Sequence, residues 1–282
     1  MTDSLTGSPG VRPLGIEPLD LLYEKPGLPD FDLPAELRAL YAGTLGFERP
    51  SLNVNFVSTI DGIVSIPGTP RSNRIISDES DPDRFVMALL RACADVVLIS
   101  SGTLNGSPNG LWSATDAYPP AGAAIADLRR RLGLPPEPAF AVLTGSGKID
   151  PEHQALDAGA LILTTERGAA VLAGRLRDGV EIAVLPGGDA VDLAAAVGLL
   201  HGHGLTAILS EAGPTILGAM LAGGLVDELF LTVSPLLAGR SGNDVRLGLV
   251  EGIDFLPTTR VAGELRGIRR HGAHLFLRYG FR

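Results

Sequence analysis

The feature that most constrains this chain is a change of rhythm along it. From Arg49 onward short apolar runs alternate with helix-like stretches, and after Glu228 the apolar runs follow one another with no helix between them. Strands are predicted at Leu52–Ile60, Asp95–Ser101, Ala139–Thr144, Ala160–Thr165, Glu181–Pro186, Thr206–Ser210, Glu228–Leu237, Thr259–Gly267 and His274–Phe281. Helices are predicted at Asp81–Cys93, Ala121–Leu132, Gly168–Leu176, Ala190–Gly202 and Pro214–Ala222. Middle strands such as VVLI are apolar at successive positions, as expected where helices cover both faces of a parallel sheet. The late strands alternate instead, with Leu229, Leu231 and Val233 opposed to Phe230, Thr232 and Ser234. The chain therefore reads as α/β, with a mixed, mostly parallel sheet that ends in antiparallel strands. A closed β/α barrel has enough strands to be considered, but the helix-free end argues against it.

Residues 1–48 break this rhythm. They are rich in Pro, Gly, Asp and Leu, with an apolar patch at Leu19–Tyr23 and a short helical stretch at Pro34–Ala42. They read as an arm packing on a larger body or on a partner subunit, leaving residues 49–282 as the domain. A chain of 282 residues buries roughly 70–75% of its unfolded surface without staples.

Charge and composition exclude several function classes. A net charge of −9 argues against nucleic acid, whose phosphates call for clustered Lys and Arg. The one basic run, Arg129–Arg131, reads as a solvated helix face. Cys93 is the sole cysteine, which excludes an internal disulfide and a thiolate metal cluster. No apolar run reaches the roughly 18 residues of a membrane span, and MTDSLTGSPG lacks the pattern of a secretory signal. A cytoplasmic protein without membrane contact is the expectation.

Familiar motifs fail when tested residue by residue. TGSGKID resembles a phosphate loop, but Val142 stands at its first glycine and Ile149 where Ser or Thr is required. No G-x-G-x-x-G follows a strand, and no nucleophile elbow or H-E-x-x-H occurs. His201 and His203 fit a helix C-terminus better than a metal site, so no metal is expected.

One stretch survives. In ILSEAGPTILGAMLAGG, Glu211 ends a strand, and Gly213, Pro214 and Thr215 open a helix. Pro is favoured at a first helical position because its missing N–H would have no partner there. The bared amides and the positive dipole end make a cradle for phosphate. An ordinary βα turn would look the same, so further polar loops matter. Ser58, Thr59, Asp61 and Gly62 end another strand, and SSGTLNGSPNGLW follows a third. In open α/β sheets ligands bind outside such strand ends.

Three motifs now carry a resemblance: NFVSTIDG at Asn55–Gly62, LLRACADVVLISSGT at Leu89–Thr103, and SEAGPTILGAMLAGGLVDELFLTVSPLLAG at Ser210–Gly239. In order and coverage the chain from about Pro50 onward resembles the C-terminal reductase domain of bacterial riboflavin-biosynthesis deaminase–reductases. The resemblance implies a dihydrofolate reductase-like, three-layer α/β/α fold, a homodimer, and NADPH as hydride donor to a small-molecule substrate. It implies reduction at the ribose C1 of an aminopyrimidine glycosylamine, 5-amino-6-(5-phosphoribosylamino)uracil or a close analogue. It assigns Gly213, Pro214, Thr215, Ile216, Leu217 and Gly218 to the cofactor phosphates, and Ser58 and Thr103 to the cofactor as well. Ser72, Arg91 and Glu211 match substrate contacts, and Asp61 and Glu211 carry the polar work of catalysis.

The sequence also departs from the family. A short arm stands where bifunctional relatives carry the deaminase, and Asn53–Asn55 replace a first-strand lysine. Asn105 and Ser107 stand in place of an acid, and SEAG replaces EGG. Three readings stay open: the pyrimidine reductase, a reductase of a pterin, dihydrofolate or other heterocycle, and a non-catalytic nucleotide-binding relative. Arg74 or Arg240 could favour a 2′-phosphate, but neither position decides between NADPH and NADH.

Overall fold

The computed structural model describes residues 14–242 and 245–281. In chain order the elements are β1 (Asp20–Glu24), α1 (Ala35–Tyr41), β2 (Ser51–Ser58), β3 (Ile63–Ser65), α2 (Ser72–Ile76) and α3 (Asp81–Cys93). There follow β4 (Val96–Ser100), α4 (Ser101–Gly106), α5 (Gly122–Arg131), β5 (Ala139–Thr144), β6 (Ala160–Thr164), α6 (Glu166–Leu172) and β7 (Val180–Val184). The chain ends with α7 (Leu193–Gly202), β8 (Ala207–Ser210), α8 (Pro214–Ala222), β9 (Glu228–Val233), β10 (Leu247–Gly248), β11 (Glu264–His271) and β12 (His274–Gly280).

Ten strands form one sheet in the order β1-β11-β12-β9-β2-β8-β4-β5-β6-β7. From β9 to β7 all neighbours are parallel, while β12, β11 and β1 add antiparallel. This is the mixed sheet that the change of rhythm predicts, with the dihydrofolate reductase-like layering that the resemblance implies. One face packs Phe85 and Leu89 of α3 and Ile125 and Leu128 of α5 on Val97, Ile99 and Leu209. The other packs Leu217 and Met220 of α8 and Leu200 of α7 on Leu52, Val54, Leu98 and Ile208. Each such side chain, taken wholly out of water, contributes about 1.5–3 kcal/mol.

Residues 14–48 join this body. β1 extends the sheet by pairing with β11, and Leu37, Leu40 and Tyr41 of α1 enter the same core as α3. The strand expected at Thr259–Gly267 instead runs from Glu264 to His271. Thr258, Thr259 and Val261 have strand-forming side chains but lie exposed in a loop. Arg266, Arg269 and Arg270 make the true strand look like surface, and acids on β1 and, beyond β12, on β9 absorb those charges. Arg266 pairs with Glu228, Arg269 with Glu24 and Arg270 with Asp20.

The basic run also divides. Arg130 and Arg131 are exposed and pair with Asp127, but Arg129 is 0% exposed. Its Nη1 donates to the carbonyls of Arg91, Ala92 and Ala94 at 3.1, 3.1 and 2.9 Å. A cation at a helix C-terminus satisfies carbonyls that have no partner within the helix. Arg129 is thus a cap on α3, in correction of the solvated-face reading. Among the described residues no helix is long and apolar enough to cross a membrane.

Candidate active site

Parallel strands bring the C-terminal ends of β2, β8, β4 and β9 to one rim. Val54 pairs with Ser210, Leu98 with Ser210, and Ser58 with Val233. Glu211 lies one residue past β8, and its amide donates to Leu98 O at 2.9 Å. Strand alternation then turns its side chain to the α3 face of the sheet. There Arg91 Nε and Nη2 donate to Oε1 and Oε2 at 2.7 and 2.6 Å. The two side chains are only 8% and 10% exposed. Arg91 Nη1 also donates to Ser113 O at 3.1 Å. The arginine matched to a substrate contact therefore has its fork engaged by the acid matched to another. The two act as one rigid unit at the back of the rim.

The phosphate cradle has two sides. Gly213 is the N-cap of α8, with no side chain bonded to the helix start and Pro214 at its first position. Gly213 O accepts from Ile216 N and Leu217 N at 3.0 and 3.1 Å. Among the described residues the amides of Gly213 and Thr215 have no partner. Facing them, Ser100 Oγ accepts from Thr103 N at 3.2 Å and bonds the Thr103 hydroxyl at 3.0 Å. A Cβ on Gly213 would lie 3.9 Å from Ser100 Oγ, so the two loops are neighbours. Free amides at the positive end of a helix, beside two hydroxyls, suit an anionic linker such as pyrophosphate.

The opposite side of α8 is closed by the chain itself. Glu251 N donates to Pro214 O at 3.3 Å, and Glu251 Oε1 accepts from Gly248 N at 2.6 Å. A Cβ on Gly218 would meet Glu251 O at 2.7 Å. Gly218, expected beside the cofactor, instead serves this close approach of a strap. Leu217 is buried in the core. The open part of the expected segment is its first turn.

Asp61 holds a loop. Its carboxylate accepts from Thr59 Oγ1 at 2.5 Å, Ala238 N at 3.0 Å and Gly239 N at 2.8 Å. The Thr59 hydroxyl bond first, and the Ala238 amide next, hold its carboxyl down at about 2. A carboxylate so thoroughly bonded is a poor proton donor, so the acid role expected of Asp61 does not suit its surroundings. Ser58 is 3% exposed at the end of β2, and its carbonyl accepts from Ser234 N at 2.8 Å. Ser72 opens α2 and is partly buried. Arg74 on the same helix lies 3.9 Å from Glu79. Among the described residues no group of three His, Cys, Asp or Glu could hold a metal.

One acid on α3 escaped the sequence reading. Asp83 sits in the first turn of that helix and is half-buried. Loss of water around that carboxyl raises it to about 6, against the lowering effect of Thr232 and His274, and the Glu211 charge adds to the rise. Ser80 followed by Asp83 was the available signal, since S-x-x-acid marks a helix start.

With this geometry established, comparison with known proteins gives its family. The model of the RibD C-terminal domain matches residues 50–266, more than three-quarters of the chain. The chain belongs to the RibD C-terminal domain family. The 2,5-diamino-6-ribosylamino-4(3H)-pyrimidinone 5′-phosphate reductase of Methanothermobacter thermautotrophicus is 29% identical over 206 residues, 72% of this chain and 85% of that one. The reductase of the same name from Archaeoglobus fulgidus is 23% identical over 215 residues, covering 76% and 91%. Among solved structures, a pyrimidine reductase-like protein from Corynebacterium diphtheriae superposes with a TM-score of 0.63 at 21% identity, covering 83% and 92%. This RibD C-terminal domain thus shares its fold with a solved relative along most of both chains.

Proposed function

We propose that the protein is an NADPH-dependent reductase of riboflavin biosynthesis. It would reduce the ribosyl C1 of 5-amino-6-(5-phosphoribosylamino)uracil or its diaminopyrimidinone analogue to the ribitylamine. The observation that carries this reading is the juxtaposition of Glu211, clamped by Arg91, with the unpartnered amides of Gly213 and Thr215 two and four residues later. One loop thereby presents an acceptor for a heterocycle and donors for a dinucleotide.

The free amides, with the Ser100 and Thr103 hydroxyls, would hold the pyrophosphate. When bound, NADPH supplies a hydride, and the protein's part is alignment. Glu211 would accept from the N–H groups of the pyrimidine, and the two bonds from Arg91 hold that carboxylate in place. Asp61 is a positioning residue, stapling the Ala238–Gly239 loop to the end of β2. Ser72, at the start of α2, would contact the substrate. The protein would work as a cytoplasmic homodimer on a small molecule, without nucleic acid.

The test is turnover. Purified protein is offered NADPH or NADH with the uracil and diaminopyrimidinone substrates, and with dihydrofolate. The reading requires NADPH oxidation with a phosphoribosylaminopyrimidine and none with dihydrofolate. The reverse pattern would replace it.

A further inference from the structure

A phosphoribosyl substrate would bring a phosphate to the rim, and the arginine beside Glu211 is already committed. Arg91 gives Nε and Nη2 to Glu211 and Nη1 to Ser113 O. β2 supplies no cation, since its sequence is SLNVNFVS. On α2, Arg74 lies 3.9 Å from Glu79. The Arg71 side chain is exposed, and among the described residues nothing bonds it in place.

Arg240 is held differently. Asp61 accepts from the amides of Ala238 and Gly239 at 3.0 and 2.8 Å, which fixes the two residues just before it. Gly239 has φ +66, the left-handed turn that favours glycine, so the chain leaves the staple in a set direction. The Arg240 guanidinium then lies over Gly248 of β10. A Cβ on that glycine would meet Arg240 Nη2 at 3.3 Å, with Glu251 Oε1 at 3.5 Å and Gly62 O at 3.8 Å from the same point. Glu251 Oε1 is taken by Gly248 N at 2.6 Å, and among the described residues no carboxylate pairs with Arg240. β10 pairs with β3, Gly248 opposite Ile63, and α2 packs on β3. A single short strand therefore links the helix of Ser72 to the glycine under Arg240. The same strap carries a second arginine without an acid: Arg246 is half-buried, and its Nε has no hydrogen-bond partner.

We propose that Arg240 is the phosphate-binding residue of the substrate site, taking the 5′-phosphate of the ribosylaminopyrimidine on its planar fork. The inference rests on the reductase reading above. The phosphate does not react, so its bonds are equally strong in the ground and transition states. Arg240 accordingly lowers KM and leaves the chemical step alone. It makes the enzyme select phosphorylated substrates over their phosphate-free forms. Asp61 acts through Arg240, because the stapled amides of Ala238 and Gly239 fix where the arginine side chain begins.

Substrates with and without the phosphate test the proposal. In Arg240→Ala, KM for the phosphorylated substrate rises about 10- to 100-fold, while kcat changes less than about twofold. For the same substrate lacking its phosphate, wild type and Arg240→Ala have equal KM values. Arg240→Lys keeps the charge but not the fork and recovers part of the loss. Arg71→Ala, which removes the unpaired cation of α2, leaves KM unchanged. In 15N–1H spectra of the arginine side chains, the Arg240 Nε signal, assigned by its loss in Arg240→Lys, moves with ribose 5-phosphate and not with ribose. A purely structural role for Arg240 would weaken both substrates alike. An unchanged KM in Arg240→Ala, an equal rise for the phosphate-free substrate, a loss shared by Arg71→Ala, or an unmoved Nε signal each overturns the proposal. Weaker NADPH binding in Arg240→Ala with substrate KM intact would move the residue to the cofactor and overturn it too. Wild-type protein that reduces no ribosylaminopyrimidine overturns the reductase reading instead, while the Nε signal still judges Arg240.

Discussion

Arg91 and Glu211, 120 residues apart in sequence, meet fork to fork at 2.7 and 2.6 Å beneath the strand ends. The pair ties α3 to the loop that opens α8, so the same contact serves the fold and the candidate site. Removing one partner of a buried pair leaves an uncompensated charge. Arg91→Ala should therefore cost about 3–5 kcal/mol in chemical denaturation. Arg91→Lys keeps the charge but not the fork and should fall between.

Glu211→Gln preserves shape and removes the charge that Arg91 answers. Substrate Kd should rise about tenfold, equivalent to about 1.4 kcal/mol, while NADPH Kd stays within about twofold. Calorimetric titration with each ligand separates the two effects. Equal weakening of both would place Glu211 at the cofactor rather than the heterocycle.

Asp61 predicts a pH dependence of loop order. Its folded value of about 2 lies below the ordinary 3.8. Its bonds to Ala238 and Gly239 thus stabilise the loop fully above 3.8 and are lost as pH falls through about 2. Amide protection at Ala238 and Gly239, taken against the intrinsic exchange rate at each pH, should fall over that window in wild type. In Asp61→Asn protection should already be low at neutral pH and should not change with acid.

Gly218 within α8 and Gly213 at its N-cap should respond differently to Ala. At Gly218 the added Cβ falls 2.7 Å from Glu251 O, and the strap must shift, at about 1–3 kcal/mol. Gly213 has φ −69, a value open to any residue, and its Cβ would meet only Ser100 Oγ at 3.9 Å. Gly213→Ala should change stability by less than about 0.5 kcal/mol. Thermal unfolding of the two variants decides this.

Much of the fold was legible because β4, β5, β6 and β8 are short apolar runs bounded by helix signals. β1 was not, since Leu21, Leu22 and Tyr23 are exposed at a sheet edge and follow no alternation. β11 was displaced because charge on a strand looks like surface until Glu228, Glu24 and Asp20 are seen beside it. At the site, Glu211, Arg91 and Gly213 stood out singly, each from its own loop or helix. Their geometry was hidden, since pairing across 120 residues leaves no local pattern. Asp61 misled because an Asp-Gly turn at a strand end looks the same whether it faces a substrate or staples a loop. Asp83 was passed over because its position in a helix start supplies a sufficient local explanation.

The central claim is that a dinucleotide linker docks on the first turn of α8, beside the clamped Glu211. Backbone 15N–1H spectra recorded during NADPH titration test it directly. The Gly213 and Thr215 amides should shift together, saturating at the same concentration as the Thr103 amide. Saturable NADPH binding that leaves Gly213 and Thr215 unmoved would contradict it.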